Sequence, residues 1–294
     1  MPFVFPEVWT DCSGIDAPLI ALKHMGVNFR VLAGSDIWRP AARFWHHHYG
    51  KWGASFCDDL TTRNNAEALQ QTGRPDLYVA GFPCPSFSSA GLGRGANCAE
   101  GQVIASIIRF LRLALPACFL LENVCGLLHR HPEVLRWILT QLRSLGTKYL
   151  IDMRCMNSKD HGIPHNRDRV WIVGLRQDKV QHPFKWPGRW GCIELSHFLD
   201  PIVARPSLAD DDLPARPGAK QNLLVALKEI AAQFKCNPLK KTFVVRIDNS
   251  LSWGPDWTDG IVSCMTVRNY QGQWLTDRGR RLACHEMARS LGAG

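Results

Sequence analysis

The sequence predicts an α/β fold on a parallel sheet, followed by a second, less regular region, and three observations carry that expectation. From the N-terminus to about residue 176, short apolar runs alternate with amphipathic stretches of helical length, the pattern of βαβ units. A length of 294 residues with 46% hydrophobic and 21% charged residues matches globular chains and excludes disorder or a coiled coil as the general description. Beyond about Gln177 the alternation stops and prolines accumulate at 183, 187, 201, 206, 214 and 217.

In chain order, Val4 to Trp9 is an apolar run of strand length. Pro18 to Met25 reads as a helix with proline at its start, where its missing N–H costs nothing. Phe29 to Ala33 is a second strand, leading to Asp36, and Arg39 to His48 is helix-like. Strands at Leu77–Ala80, Cys118–Glu122 and Val170–Leu175 are separated by helices at Val103–Leu115 and Glu133–Leu145. In the later region Asn222 to Phe234 has a helical pattern, Thr242 to Ile247 a strand pattern, and Gly279 to Gly292 becomes helical again. Ligands of such sheets bind beyond the carboxyl ends of the strands, which directs the search for chemistry to the loops after Trp9, Ala33, Ala80 and Leu121.

Lys and Arg total 35 against 26 Asp and Glu, a net charge of +9 without a basic tail, which favours a polyanionic partner once folding groups the cations. The run Ile104–Leu121 is interrupted by Arg109 and Arg112, so nothing approaches the roughly 20 apolar residues of a membrane span. No signal-like start is present in residues 1 to 10. The 11 cysteines are odd in number, scattered from Cys12 to Cys284 and free of Cys-x-x-Cys pairs, which suits a reducing compartment and gives no zinc spacing. His46, His47 and His48 are expected at a solvated helix end, with no metal ligands predicted.

Two stretches hold the chemistry. Asp76-Leu-Tyr-Val-Ala-Gly-Phe-Pro-Cys84-Pro-Ser-Phe-Ser-Ser-Ala-Gly91 runs a strand into a cysteine between two prolines, followed by a small-residue loop. A cysteine so placed suits a nucleophile, or, read alone, a buried structural thiol. Phe119-Leu-Leu-Glu122-Asn-Val-Cys-Gly126 ends another strand in a carboxylate, either a proton-holding acid or a structural group bonded to loop amides. Neighbouring parallel strands would give Cys84 and Glu122 one mouth.

These residues resemble the cytosine-5 DNA methyltransferases, whose nucleophile sits in Gly-Phe-Pro-Cys-x-x-Phe-Ser and whose second motif is Glu-Asn-Val. Two further segments follow in family order. His161-Gly-Ile-Pro-His165-Asn-Arg167-Asp-Arg169-Val-Trp-Ile-Val-Gly174 resembles the Gln-x-Arg-x-Arg segment, with His165 in the glutamine position. Arg281-Leu-Ala-Cys-His-Glu286-Met-Ala-Arg289-Ser-Leu-Gly292 resembles Arg-x-Leu-Thr-x-x-Glu-x-Ala-Arg-x-x-Gly. The resemblance covers about residues 4–176 and 263–292.

The resemblance implies a Rossmann-like, S-adenosylmethionine-dependent fold: a catalytic domain over 1–177, target recognition over 178–262, and a segment 263–294 returning to the catalytic domain. It implies Cys84 as nucleophile, Glu122 at ring nitrogen 3, and Arg167 and Arg169 holding the flipped base or its backbone. The cofactor loop would be Cys12, Gly14, Ile15 and Asp16, where Cys12 and Asp16 replace the phenylalanine and second glycine of Phe-x-Gly-x-Gly. Asp36 would hold the ribose hydroxyls, Ile37 or Trp38 would cover the adenine, and Asp59, Leu60 and Pro83 would complete the pocket. The implied substrate is cytosine in duplex DNA, bound by a monomer in a bacterial cytoplasm or a nucleus. Trp186, Trp190, Trp253 and Trp257 with Arg189, Lys240, Lys241 and Arg246 would read it. No copy of the family's final Gly-Asn-Ser/Ala-Val motif occurs in the sequence. A truncated chain, an incomplete gene product and a weakened cofactor site remain open, as do RNA as substrate and a catalytically silent relative.

Overall fold

The computed structural model describes residues 6–84, 99–146, 148–203, 206–207, 209, 213–250, 256–265 and 273–291. The small-residue loop after Cys84, including Gly91, Gly93 and Gly95, lies outside them, as do Trp253, the acidic run at 210–212 and Gly292. The chain divides into two compact units, residues 1–156 with 168–185, and residues 157–167 with 186–294.

In the first unit the elements follow the predicted alternation: β1 (Glu7–Asp11), α1 (Ala17–His24), β2 (Arg30–Ser35), α2 (Arg39–His48), β3 (Ser55–Cys57), α3 (Asn65–Thr72), β4 (Leu77–Gly81), α4 (Ala99–Ala114), β5 (Cys118–Val124), α5 (Gly126–His129), α6 (Pro132–Arg143) and β6 (Tyr149–Asn157). The short strand β7 (His165–Asn166) belongs to the second unit, and β8 (Asp168–Arg176) returns to the first. The seven-stranded sheet has the order β3-β2-β1-β4-β5-β8-β6. β1 to β5 are parallel, whereas β8 is antiparallel to β5, so the expected parallel sheet is mixed. The cause is the connection: residues 158–167 join β6 to β8, too few for the helical crossover that a parallel pair needs.

The core forms where the alternation places it. Trp9, Tyr78, Phe110 and Phe119 are fully buried on the central strands and α4. In α6, Val134, Leu135, Ile138 and Leu142 recur at helical spacing and all face inward. Gly174 stands opposite Phe119 in the β5–β8 pair, and a Cβ there would lie 2.0 Å from the Phe119 ring, so only glycine admits the ring. His46, His47 and His48 end α2 and are exposed, as expected. Among the described residues no helix is long and apolar enough to cross a membrane.

The cysteine reading needs correction. Cys125 and Cys155 form a disulfide, joining the residue after β5 to edge strand β6 across 30 residues of chain. Scattered positions in the sequence did not reveal the pair, because β8 separates the two segments in the sheet and only the fold brings them together.

The second unit has its own sheet. α7 (Pro217–Phe234) buries Ala219, Leu223, Ala226, Leu227 and Ile230 against a cluster with Phe243, Val245, Ile247 and Trp274. β9 (Phe243–Arg246) pairs with β10 (Trp257–Asp259) and with β12 (Gln273–Leu275), which pairs with β13 (Arg280–Arg281), all antiparallel. β11 (Val262–Ser263) runs parallel to β7. The last helix, α8 (Cys284–Ser290), is fixed through Glu286, whose carboxylate is fully buried and accepts from the amides of Asp200 and Ala283 and from Arg280. The sequence places residues 263–294 with the first domain. Pairing of β12 with β9 instead groups them with the second unit, together with 157–167.

Candidate active site

Three neighbouring strands bring the predicted chemistry to one end of the first unit's sheet. β4 and β5 are in parallel register with Gly81 beside Glu122, and a Cβ at Gly81 would meet Glu122 Oε2 at 3.5 Å, so the carboxylate lies over the end of β4. Cys84 follows three residues later and is half-buried. The loop is tied to β5 by the buried Asn123, whose Nδ2 donates to the Phe82 carbonyl oxygen at 3.0 Å. Phe82 is itself in the core, and Pro83 is exposed. Burial pushes the Cys84 thiol up, and the Arg130 charge pulls it back.

Arg169 reaches the same place from β8. Antiparallel pairing sets it opposite Val124, and its Nε lies 2.7 Å from Glu122 Oε1 with both side chains largely covered. A charge-assisted bond of this length fixes the orientation of the carboxylate. Arg167, two residues earlier, lies in the second unit, where its amide donates to Asn157 Oδ1. His165, in the glutamine position of that motif, is buried, and its Nε2 accepts from the Met265 amide at 3.4 Å.

The carboxyl ends of β1 and β2 form the second predicted locus. Asp36 Oδ2 accepts from the Gly14 amide and Oδ1 from the Trp38 amide, each at 2.8 Å. The carboxylate therefore clamps the β1–α1 loop onto β2, and its remaining lone pairs are available to hydroxyl donors. Ile15, Ile37 and Trp38 stand 43%, 81% and 60% exposed, apolar surface of the kind that covers a planar ring. Asp59 is occupied locally, its Oδ1 accepting from the amide and hydroxyl of Thr61. Leu60 is a core residue and Cys12 packs against the same core, so neither side chain is displayed as a ligand contact; burial also pushes the Cys12 thiol up.

Beneath this loop is a network with no sequence signal. Asp11, 1% exposed, accepts from Arg63 through both oxygens at 2.7 and 2.8 Å, from Tyr78 and Ser35 at 2.7 Å each, and from the Trp9 indole at 3.2 Å. Burial works against its charge, yet Arg63 and these bonds hold the carboxyl below its ordinary range. Arg63 also stacks over the rings of Trp9 and Phe110.

Asp16 stands at the start of α1 without capping it. It occupies the N-cap position of α1 at φ 54°, makes no capping bond and is fully buried. Trp45 packs so closely on β2 that a Cβ at Gly34 would lie 2.3 Å from its Nε1. Among the described residues, that indole N–H and both Asp16 oxygens have no hydrogen-bond partner. Burial, with the charge of Asp36 adding to it, pushes the Asp16 carboxyl up to about 7 from 3.8, and the nearness of Thr10 and Trp45 offsets this only in part. A carboxyl with a raised folded pKa contributes most at low pH, and that contribution is lost as pH rises from about 4 to about 7. Asp16→Asn removes the loss, so at pH 8 it is expected to stabilise the protein by about 2–4 kcal/mol, with little change at pH 4. Urea denaturation across that range checks this, and a gap independent of pH would count against it.

The family model described as C-5 cytosine-specific DNA methylase matches residues 10–201. Type II methyltransferase M.NlaX of Neisseria lactamica is 31% identical over 176 residues, 60% of this chain and 54% of that protein. Type II methyltransferase M.NgoBI of Neisseria gonorrhoeae is 31% identical over 222 residues, 74% and 63% respectively. Orphan methyltransferase M.SPRI of Bacillus phage SPR is 30% identical over 178 residues, 58% and 38%. In each case the match spans less than two thirds of the relative. A DNMT2 mutant of Spodoptera frugiperda superposes with a TM-score of 0.57 at 17% identity, covering 75% of this chain and 65% of that one. The Entamoeba histolytica methyltransferase EhMeth gives 0.52 at 18%, covering 69% and 62%; these two are likenesses of fold.

Proposed function

The chain belongs to the C-5 cytosine-specific DNA methylase family, and from that premise we propose that it methylates carbon 5 of cytosine in duplex DNA with S-adenosylmethionine as donor. What supports this reading is Glu122, held by Arg169, at the strand pair whose other member, β4, ends three residues before Cys84, with the Asn123–Phe82 bond tying the cysteine loop to the glutamate strand.

Carbon 5 of cytosine is a weak nucleophile, and covalent addition at carbon 6 is the remedy. Cys84 Sγ, as thiolate, bonds to carbon 6. Glu122 holds the proton that the ring takes up at nitrogen 3, and Arg169 keeps the carboxylate aimed. Proton transfer by a positioned group of this kind supplies typically 10²–10⁴-fold. The addition makes carbon 5 electron-rich, and the donor, when bound, supplies an electrophilic methyl group on a sulfonium. The carbon 5 proton then passes to solvent, the electron pair it leaves expels Cys84 as thiolate, and nitrogen 3 gives its proton back to Glu122. The cytosine reaches these groups by leaving the duplex, at roughly a few kcal/mol.

The residues at the ends of β1 and β2 fit the donor in part. Asp36 suits its ribose hydroxyls and Ile37 or Trp38 its adenine, with Gly14 and Ile15 in the adjoining loop and Asp59 and Pro83 at the rim. Asp16 and the side chains of Cys12 and Leu60 act as supports of that pocket rather than its lining. In this reading Arg167 contacts the flipped base or its backbone.

Covalent trapping tests the proposal. Protein, S-adenosylmethionine and duplex DNA carrying 5-fluorocytosine in many contexts are expected to give an adduct that survives denaturation. The fluorine cannot leave as a proton does, so the cysteine bond persists. A folded protein that binds this DNA yet yields no adduct would overturn the reading, and an adduct on RNA alone would move the substrate.

A further inference from the structure

The structure sorts the predicted recognition residues of the second unit into two kinds. Trp257 packs edge-on against Phe234 and Phe243 and donates its indole N–H to Glu229. Lys241 is bound to Asp259 and Arg246 to Asp256. Trp186 is partly covered. Trp190 is 86% exposed, and Arg189 beside it has 83% of its side chain in solvent, with a long contact of 3.6 Å to Asp160 among the described residues.

The backbone that displays Trp190 is nevertheless fixed. Its amide donates to the Asp160 carbonyl at 2.9 Å, the Gly162 amide donates to the Gly191 carbonyl at 2.8 Å, and His161 and Gly191 form a parallel bridge. The turn that anchors it, Ser158–Asp160, also carries Lys159. Around it the chain has no acidic residue from Lys179 to Ile193, while Lys185 and Arg189 lie within that stretch. A rigidly mounted indole with cations beside it has a flat apolar face for stacking and positive charge for phosphate, the pairing used by single-stranded and flipped-out nucleic-acid sites.

We propose that Trp190 stacks on a nucleic-acid base, with Arg189 and Lys159 on the adjoining phosphates. The inference rests on the reading of the chain as a DNA enzyme. Pre-ordering of the loop keeps the entropy cost of the contact low. Because the side chain buries so little, its removal leaves the fold intact and isolates binding from stability.

The test is the affinity of the whole chain for a labelled mixed-sequence duplex, measured over a range of salt. Trp190→Ala is expected to weaken binding roughly 5- to 100-fold at every salt concentration, leaving the slope of log affinity against log salt unchanged, because no phosphate contact is lost. Trp190→Phe recovers most of the loss. Arg189→Ala instead lowers the slope by about one ion. Wild-type affinity in Trp190→Ala overturns the inference, as does light scattering in which that variant turns a dimer into a monomer, since the indole would then be seated on a second copy. Failure of the wild-type chain to bind any duplex is the separate failure of the functional reading, seen before any variant is made.

Discussion

Cys84→Ala is expected to abolish the denaturation-resistant adduct and to lower methyl transfer by at least about 10³-fold, with a stability change of about 1 kcal/mol or less, because the side chain is only half-buried. Duplex binding should be retained, since no phosphate contact is removed. The pH dependence follows from the thiol. Burial holds the proton on Cys84 and Arg130 favours its release, so the adduct rate of the wild-type chain rises with pH above 7 as the thiolate fills. Arg130→Ala moves that rising limb to higher pH. Stopped adduct formation, resolved on denaturing gels across pH 6–10, measures both. Full turnover by Cys84→Ala would remove the cysteine from the chemistry.

Arg63→Ala carries the largest expected loss of stability. It leaves Asp11 as a fully buried carboxylate without its bidentate cation, a change that typically costs about 3–5 kcal/mol. Arg63→Lys restores a charge but not the paired geometry and should recover part of the loss. Combining Arg63→Met with Asp11→Asn removes both charges, so the double variant should be more stable than Arg63→Ala. Because Ser35 and Tyr78 also bond Asp11, β1, β2 and β4 loosen together. Urea melts of the three variants decide this, and a loss below about 1 kcal/mol for Arg63→Ala would show that water or another cation replaces the guanidinium.

How much of this was legible depended on whether the signal was local. Strands β1, β2, β4, β5 and β8 and helices α2, α4, α6 and α7 announce themselves through apolar runs and helical spacing. β6 does not, because an edge strand with Asp152 and Arg154 facing solvent has no continuous apolar run. α3 is short, polar and buries Leu69 alone. The approach of Glu122 to the Cys84 loop was legible because neighbouring parallel strands end together, and Arg169 was identified by resemblance although its route, an antiparallel strand, was not. Asp11 and Arg63 are 52 residues apart, and no spacing rule joins them. The burial of Asp16 has no local signal either, because Trp45, which lies beside it, comes from another helix.

The Cys125–Cys155 bond closes a ring of chain that contains α5, α6 and most of β6. A ring of that size removes about 3.5 kcal/mol of freedom from the unfolded chain, and it does so without altering any contact of the folded one. The resistance of the first unit to unfolding is therefore set partly by the thiol poise of its surroundings. With reductant the chain unfolds to a linear polymer, and without it to a looped one.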